Sequence, residues 1–222
     1  MSDKKELIRR AFLTEVRAAG EDGGLIEGKP IVFGSQTDIC GWFGEVIDQG
    51  ALDEADLSDV RFCKNHDTSN VYARFKRGRA NNTMNLQPTL EGLEIEAKLD
   101  TENNPLAATL YSEVKRGDIS GMSFMFTVAD EEWKNLDTDY PIRHIKKIGT
   151  VIEVSAVTFP AYEATQINAR DADAVEAAKQ ALENAKEQRS ASEDNEQEAE
   201  AQRAAALALE KEKMKNLYGG IQ

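Results

Sequence analysis

The sequence predicts an α+β fold, mostly antiparallel β, over residues 1–170, and an Ala/Glu-rich tail over residues 171–222 that is helical or partly disordered. Three observations carry this reading. Short alternating runs rich in β-branched and aromatic residues recur through the first 170 positions. Glycine and asparagine punctuate them where turns are needed. Near Arg170 the composition changes, and from Asp171 to Gln222 there are 13 alanines, 12 acidic and 7 basic residues, no proline and one aromatic, Tyr218.

The strand expectations, in order, are Leu25 to Phe33, Val60 to Cys63, Leu93 to Leu99, Ser123 to Val128 and Val151 to Phe159. Gly23-Gly24, Asn81-Asn82, Glu91-Gly92 and Gly149 read as turns between them. One helix interrupts the strands, Pro105 to Lys115, with Asn104 as its cap, Pro105 in its first turn and Gly117 beyond its end. The tail is built from strong helix formers. Val175, Ala178, Leu182 and Ala185 step along one face, and Leu207, Glu210, Met214, Leu217 and Tyr218 trace a second stripe that Gly219-Gly220 ends. Between the stripes, Arg189 to Glu200 is polar and is expected to fray or be disordered.

Bulk properties exclude several classes. A net charge of −13 and a pI near 4.7 argue against gripping phosphate backbones or anionic membranes. No apolar run approaches the roughly 20 residues that span a bilayer. Met1 to Arg10 carries charges along its length and no apolar stretch to serve as a secretion signal. Cys40 and Cys63 have no metal or redox spacing, so reduced thiols in a cytosolic compartment are the simplest reading, with one disulfide as the alternative.

Three segments could carry chemistry. His66, one of two histidines, ends the run Val60-Arg61-Phe62-Cys63-Lys64-Asn65 at the lip of a strand, where an imidazole can face a cleft or simply sit on a surface loop. At Gly117-Asp118-Ile119-Ser120-Gly121-Met122-Ser123 a helix ends, the chain turns and a strand begins at a serine. Gly121 lets backbone pass close to a reacting group, and N–H groups there could hold an oxyanion; the plainer reading is a turn into a core strand. In Ile152 to Phe159, Glu153, Ser155 and Val157 share one strand face. A carboxylate inside such a strand is costly to bury unless paired, which an imidazole N–H would accomplish; an edge glutamate facing water is the alternative.

Taken together and in this order, Asn65-His66-Asp67, Arg116-Gly117-Asp118-Ile119-Ser120-Gly121-Met122-Ser123-Phe124 and Glu153-Val154-Ser155-Ala156-Val157-Thr158-Phe159-Pro160-Ala161-Tyr162 closely resemble the caudovirus prohead serine proteases, a family held to share a fold with herpesvirus assemblins. The likeness runs from Gly50-Ala51-Leu52 to Asn168-Ala169-Arg170 and leaves out the tail. It implies a small β-barrel with surrounding helices and a Ser-His-acid triad. Ser123, rather than Ser120, takes the serine of the family's Gly-hydrophobic-Ser-hydrophobic pattern as nucleophile, and His66 matches the general base. The herpesvirus relatives use a second histidine as third member; Glu153 stands at the phage position, with His144 and Asp67 as alternatives.

A serine hydroxyl needs an adjacent base to become nucleophilic, and an imidazole with an ordinary pKa of roughly 6.5 can both take and return a proton. The implied enzyme is a capsid-maturation endopeptidase acting in the host cytoplasm, inside the assembling prohead, without cofactor or metal. Its implied partners are the major capsid protein precursor, a scaffold segment and the chain itself, with neither nucleic acid nor membrane among them, and a homo-oligomer stays open. The rival reading is a non-catalytic scaffolding protein, supported by the tail. A metalloprotease lacks a helical His pair, and Gly20-Glu21-Asp22-Gly23-Gly24 lacks the lysine or serine that engages phosphates.

Overall fold

The computed structural model describes residues 7–12, 16–20, 23–158 and 172–218. Residues 1–178 and 179–222 form two compact units. In the first, nine strands come first: β1 (Leu7–Phe12), β2 (Val16–Ala19), β3 (Leu25–Val32), β4 (Gln36–Ile39), β5 (Phe43–Ile47), β6 (Asp59–Lys64), β7 (Ala73–Lys76), β8 (Met84–Pro88) and β9 (Gly92–Lys98). Helix α1 (Pro105–Arg116) follows, then the long strands β10 (Gly121–Lys134) and β11 (Ile142–Val157). A second helix, α2, covers Ala172–Tyr218.

Two sheets result. One has the order β1-β10-β11-β5-β4, with β6 beside β11 and β7 beside β6; the other runs β2-β3-β9-β8. Most pairings are antiparallel, but β11 runs parallel to β5 over Ile142–Ile145 and parallel to β6 over Glu153–Ala156. One edge of β11 is therefore shared by two strands, while its other edge carries β10 along its length. The pairings do not close into a ring among the described residues, so the expected barrel is not seen as such; the architecture is α+β with one mixed and one antiparallel sheet.

The apolar alternation explains the layers. Ile26, Ile31, Val60, Phe62, Leu93, Ile95, Met122, Phe124, Phe126, Ile145, Val151 and Val154 are buried in one core, and Phe124 and Phe126 stack with ring centroids 4.6 Å apart. Helix α1 contributes Ala107, Leu110 and Val114, spaced to fall on one face. Asn104 accepts from the N–H groups of Leu106 and Ala107, and Gly117 closes the helix at φ 80°.

Several expectations need correction. Gly149 lies inside β11, not in a turn. It falls where the β10 register shifts, opposite Thr127 and Val128, so it makes a bulge and not an end. Strands β1, β2, β4, β5, β7 and β8 were not expected, because they are short or carry Arg, Lys, Asp and Gln that break the alternation. Arg189 to Glu200, expected to fray, is helical within a continuous α2, since Ala, Glu, Gln and Arg hold a helix and no Gly or Pro interrupts it. The expected boundary near Arg170, the motif end at 159–162 and the Gly219-Gly220 stop lie outside the described residues.

Candidate active site

Three neighbouring strands bring the chemistry together. Ser123 on β10 pairs with Ser155 on β11, which pairs with Cys63 on β6. The chain leaves β6 with the Asn65 N–H still bonded to Ala156 O at 3.0 Å. It then turns through two successive left-handed residues, Asn65 at φ 50° and His66 at φ 58°. Asn65 tolerates that conformation readily, and histidine more readily than most residues do. The turn is held by Asn65 against Thr158, whose N–H donates to Asn65 Oδ1 at 3.0 Å, and by the His66 N–H, which donates to Ser155 Oγ at 3.1 Å.

Held in this way, the imidazole spans the site. Its Nε2 lies 2.7 Å from Ser123 Oγ, and its Nδ1 hydrogen-bonds Glu153 Oε1. Glu153 has no solvent exposure, and its other oxygen accepts the Ser155 hydroxyl at 2.6 Å. Both carboxylate oxygens are thus satisfied, which is the condition for burying the charge. A carboxylate on Nδ1 fixes the neutral imidazole with its proton there, leaving Nε2 as the acceptor for a serine proton. Ser123, 1% exposed, also lies 2.8 Å from the backbone oxygen of Arg10 in β1. Its single proton can serve only one of these two acceptors at a time.

The other candidates lie elsewhere. His144 bonds Asp48 through Nδ1 at 2.8 Å, and Asp67 holds the next turn through Ser69 N–H and the Asn70 side chain. Ser120 is exposed in the turn before β10. Gly121 is buried as the first residue of β10, opposite Val157. Cys63, beneath the site, is no rival nucleophile: burial first, then the Glu153 and Asp67 carboxylates, push its thiol up to about 12. Both cysteines are free.

The sequence reading gave Ser155 no role, although its place on the Glu153 face was the available signal. It also passed over Arg10, whose side chain is buried against Glu45, with Nη2 to Oε2 at 2.8 Å. Glu45 further accepts from Arg143 at 3.3 Å. Burial pushes the Glu45 carboxyl up, but Arg10 and then Arg143 outweigh it and hold it below the ordinary carboxylate range.

Among the described residues no group of three His, Cys, Asp or Glu side chains could hold a metal ion, and no helix is long and apolar enough to cross a membrane. The family model for the caudovirus prohead serine protease matches residues 13–180. No curated protein and no solved structure matches the chain.

Proposed function

The chain belongs to the caudovirus prohead serine protease family and is a serine endopeptidase, and on that premise we propose that Ser123, His66 and Glu153 are its catalytic triad. What supports the roles is one observation: both ring nitrogens of His66 are engaged, one by Ser123 and the other by Glu153. In the proposed cycle His66 Nε2 takes the Ser123 proton as Oγ adds to the scissile carbonyl, then gives it to the leaving amine. Glu153 keeps the imidazole in its working tautomer and stabilises the imidazolium. Backbone N–H groups near Gly121 receive the developing oxyanion.

The proposed substrates are the major capsid protein precursor, its scaffold segment and the chain itself, cut inside the assembling capsid in the host cell. The proposed organisation is a protease domain over residues 1–170 and a tail over 171–222 that self-cleavage removes. The described tail side chains are mostly exposed along α2, which suits recruitment into a forming shell as well as removal. Incubating the purified chain with the capsid precursor tests the assignment. Wild type should yield cleavage products, and Ser123→Ala should lose at least about a thousandfold in rate while keeping its circular dichroism spectrum. A Ser123→Ala protein that cuts as wild type does would remove Ser123 from the mechanism.

A further inference from the structure

Strand β1 lies along the edge of β10 that faces away from β11, with Ala11 opposite Ser123 and Arg10 opposite Phe124. Proteins commonly recognise an extended peptide by adding it as a strand to a sheet edge, main-chain bonds giving affinity and side-chain pockets giving specificity. β1 has that form, and its Arg10 carbonyl oxygen lies 2.8 Å from the nucleophile's hydroxyl. It also precedes the matched family residues, which begin at 13.

The Arg10 side chain shows what such a strand is read by. Its guanidinium presents Nε and Nη2 to the two oxygens of the Glu45 carboxylate, a fork-to-fork arrangement that matches arginine better than lysine. Glu45 keeps a second cation, Arg143, whose Nη1 reaches the same Oε2 at 3.3 Å and whose Nε donates to Glu131 at 2.9 Å. The Glu45 carboxylate, on β5, therefore has a cationic neighbour on β11 that does not depend on Arg10. Two residues earlier, Ile8 is buried in the core.

We propose that β1 occupies the place of a substrate strand, and that the protease cuts on the carboxyl side of an arginine whose guanidinium is bound by Glu45. The inference rests on the triad reading and adds its specificity. A substrate arginine placed as Arg10 is brings its carbonyl beside Ser123. For attack that carbonyl turns its oxygen away from Oγ, beside which the Arg10 oxygen lies, toward the N–H groups near Gly121. Oγ adds to that carbon as its proton passes to His66 Nε2. The C–N bond then breaks, the departing nitrogen takes the proton from His66, and an ester between Ser123 and the arginine remains. Water attacks the ester, gives a proton to His66, and the Ser123 oxygen leaves with it, freeing a new carboxylate. The position two residues before the arginine, that of Ile8, takes an apolar side chain.

The test uses the full-length chain and a peptide of the sequence of residues 7–14, with versions carrying Arg10→Lys and Arg10→Glu. Wild type should cut the parent peptide between arginine and alanine, the lysine version about tenfold more slowly and the glutamate version at least about a hundredfold more slowly. Glu45→Gln should narrow the arginine-over-glutamate ratio at least about tenfold. Should that variant fold poorly, Glu45→Asp, which keeps the charge and shortens its reach, should still favour arginine but less strongly. Cleavage of the capsid precursor by wild type with no discrimination among the peptides, or with the parent peptide left whole, overturns the specificity and leaves the triad standing. Wild type that cuts neither precursor nor peptide overturns both.

Discussion

Glu153 and Ser155 stand two residues apart on one strand face and hold His66 at both its ring and its backbone. Two substitutions separate these tasks. Glu153→Gln keeps the shape but supplies an amide that can donate to Nδ1 and favour the wrong tautomer, so kcat should fall by about three to four orders of magnitude with little change in KM. Ser155→Ala leaves a carboxylate oxygen and the His66 N–H without their partner. It should cost about 1–3 kcal/mol of stability in chemical denaturation and a smaller loss of kcat. A Ser155→Ala protein with unchanged stability would show that water replaces the hydroxyl. At this scale the sequence was legible where residue type alone suffices. His66 at a strand end, Ser123 after Gly121 and Glu153 inside an apolar strand were visible, and the ordered motifs singled them out. Ser155 and Arg10 were not, because one bridges two distant segments and the other meets Ser123 through a carbonyl, which every residue has, and Glu45 through a pairing 35 positions apart.

At the scale of elements, β6 and β7 are joined at their far end by Asp59 and Arg74. The Arg74 guanidinium, bonded to both Asp59 oxygens at 2.7 and 2.6 Å, holds that carboxyl down at about 2. A lowered folded value means stabilisation that is fully present above the ordinary aspartate value of roughly 3.9 and lost as pH falls through about 2. Arg74→Gln should therefore be less stable than wild type at neutral pH, with the gap closing between pH about 4 and about 2. A gap that persists at the acid end would mean that Arg74 acts by packing alone. The join of β3 to β9 is steric. Gly92 sits at φ 152°, and a Cβ there would come within 1.9 Å of the Ile31 carbonyl oxygen. Gly92→Ala should lower the melting temperature by several degrees or prevent folding, read by thermal scan, and a neutral result would mean the two strands can part at that corner. The strands that alternate cleanly, such as β9, were readable from sequence. β1, β4 and β7 were not, since their polar residues are held by ion pairs and sheet neighbours that local sequence does not display.

Across the body, the fold is organised on β11. It borders β10 on one side and both β5 and β6 on the other, and it carries Glu153 and Ser155 among the buried Val151, Val154 and Ala156. No stretch of sequence announces this centrality. Parallel pairing with β5 and β6 joins residues about a hundred positions apart, and only tertiary packing sets it. The same arrangement orders the molecule in time. Backbone amides paired on both edges and packed in the core open only when the whole body unfolds, whereas a strand at the end of a sheet can open by itself. In native-state hydrogen exchange, Val154 and Ala156 should be among the last amides to exchange deuterium and the β1 amides among the first. Equal protection of β1 and β11 would mean that both melt as one unit. A slow β11 beside a fast β1 gives Glu153 a rigid seat and Ser123 a removable neighbour, within a single sheet.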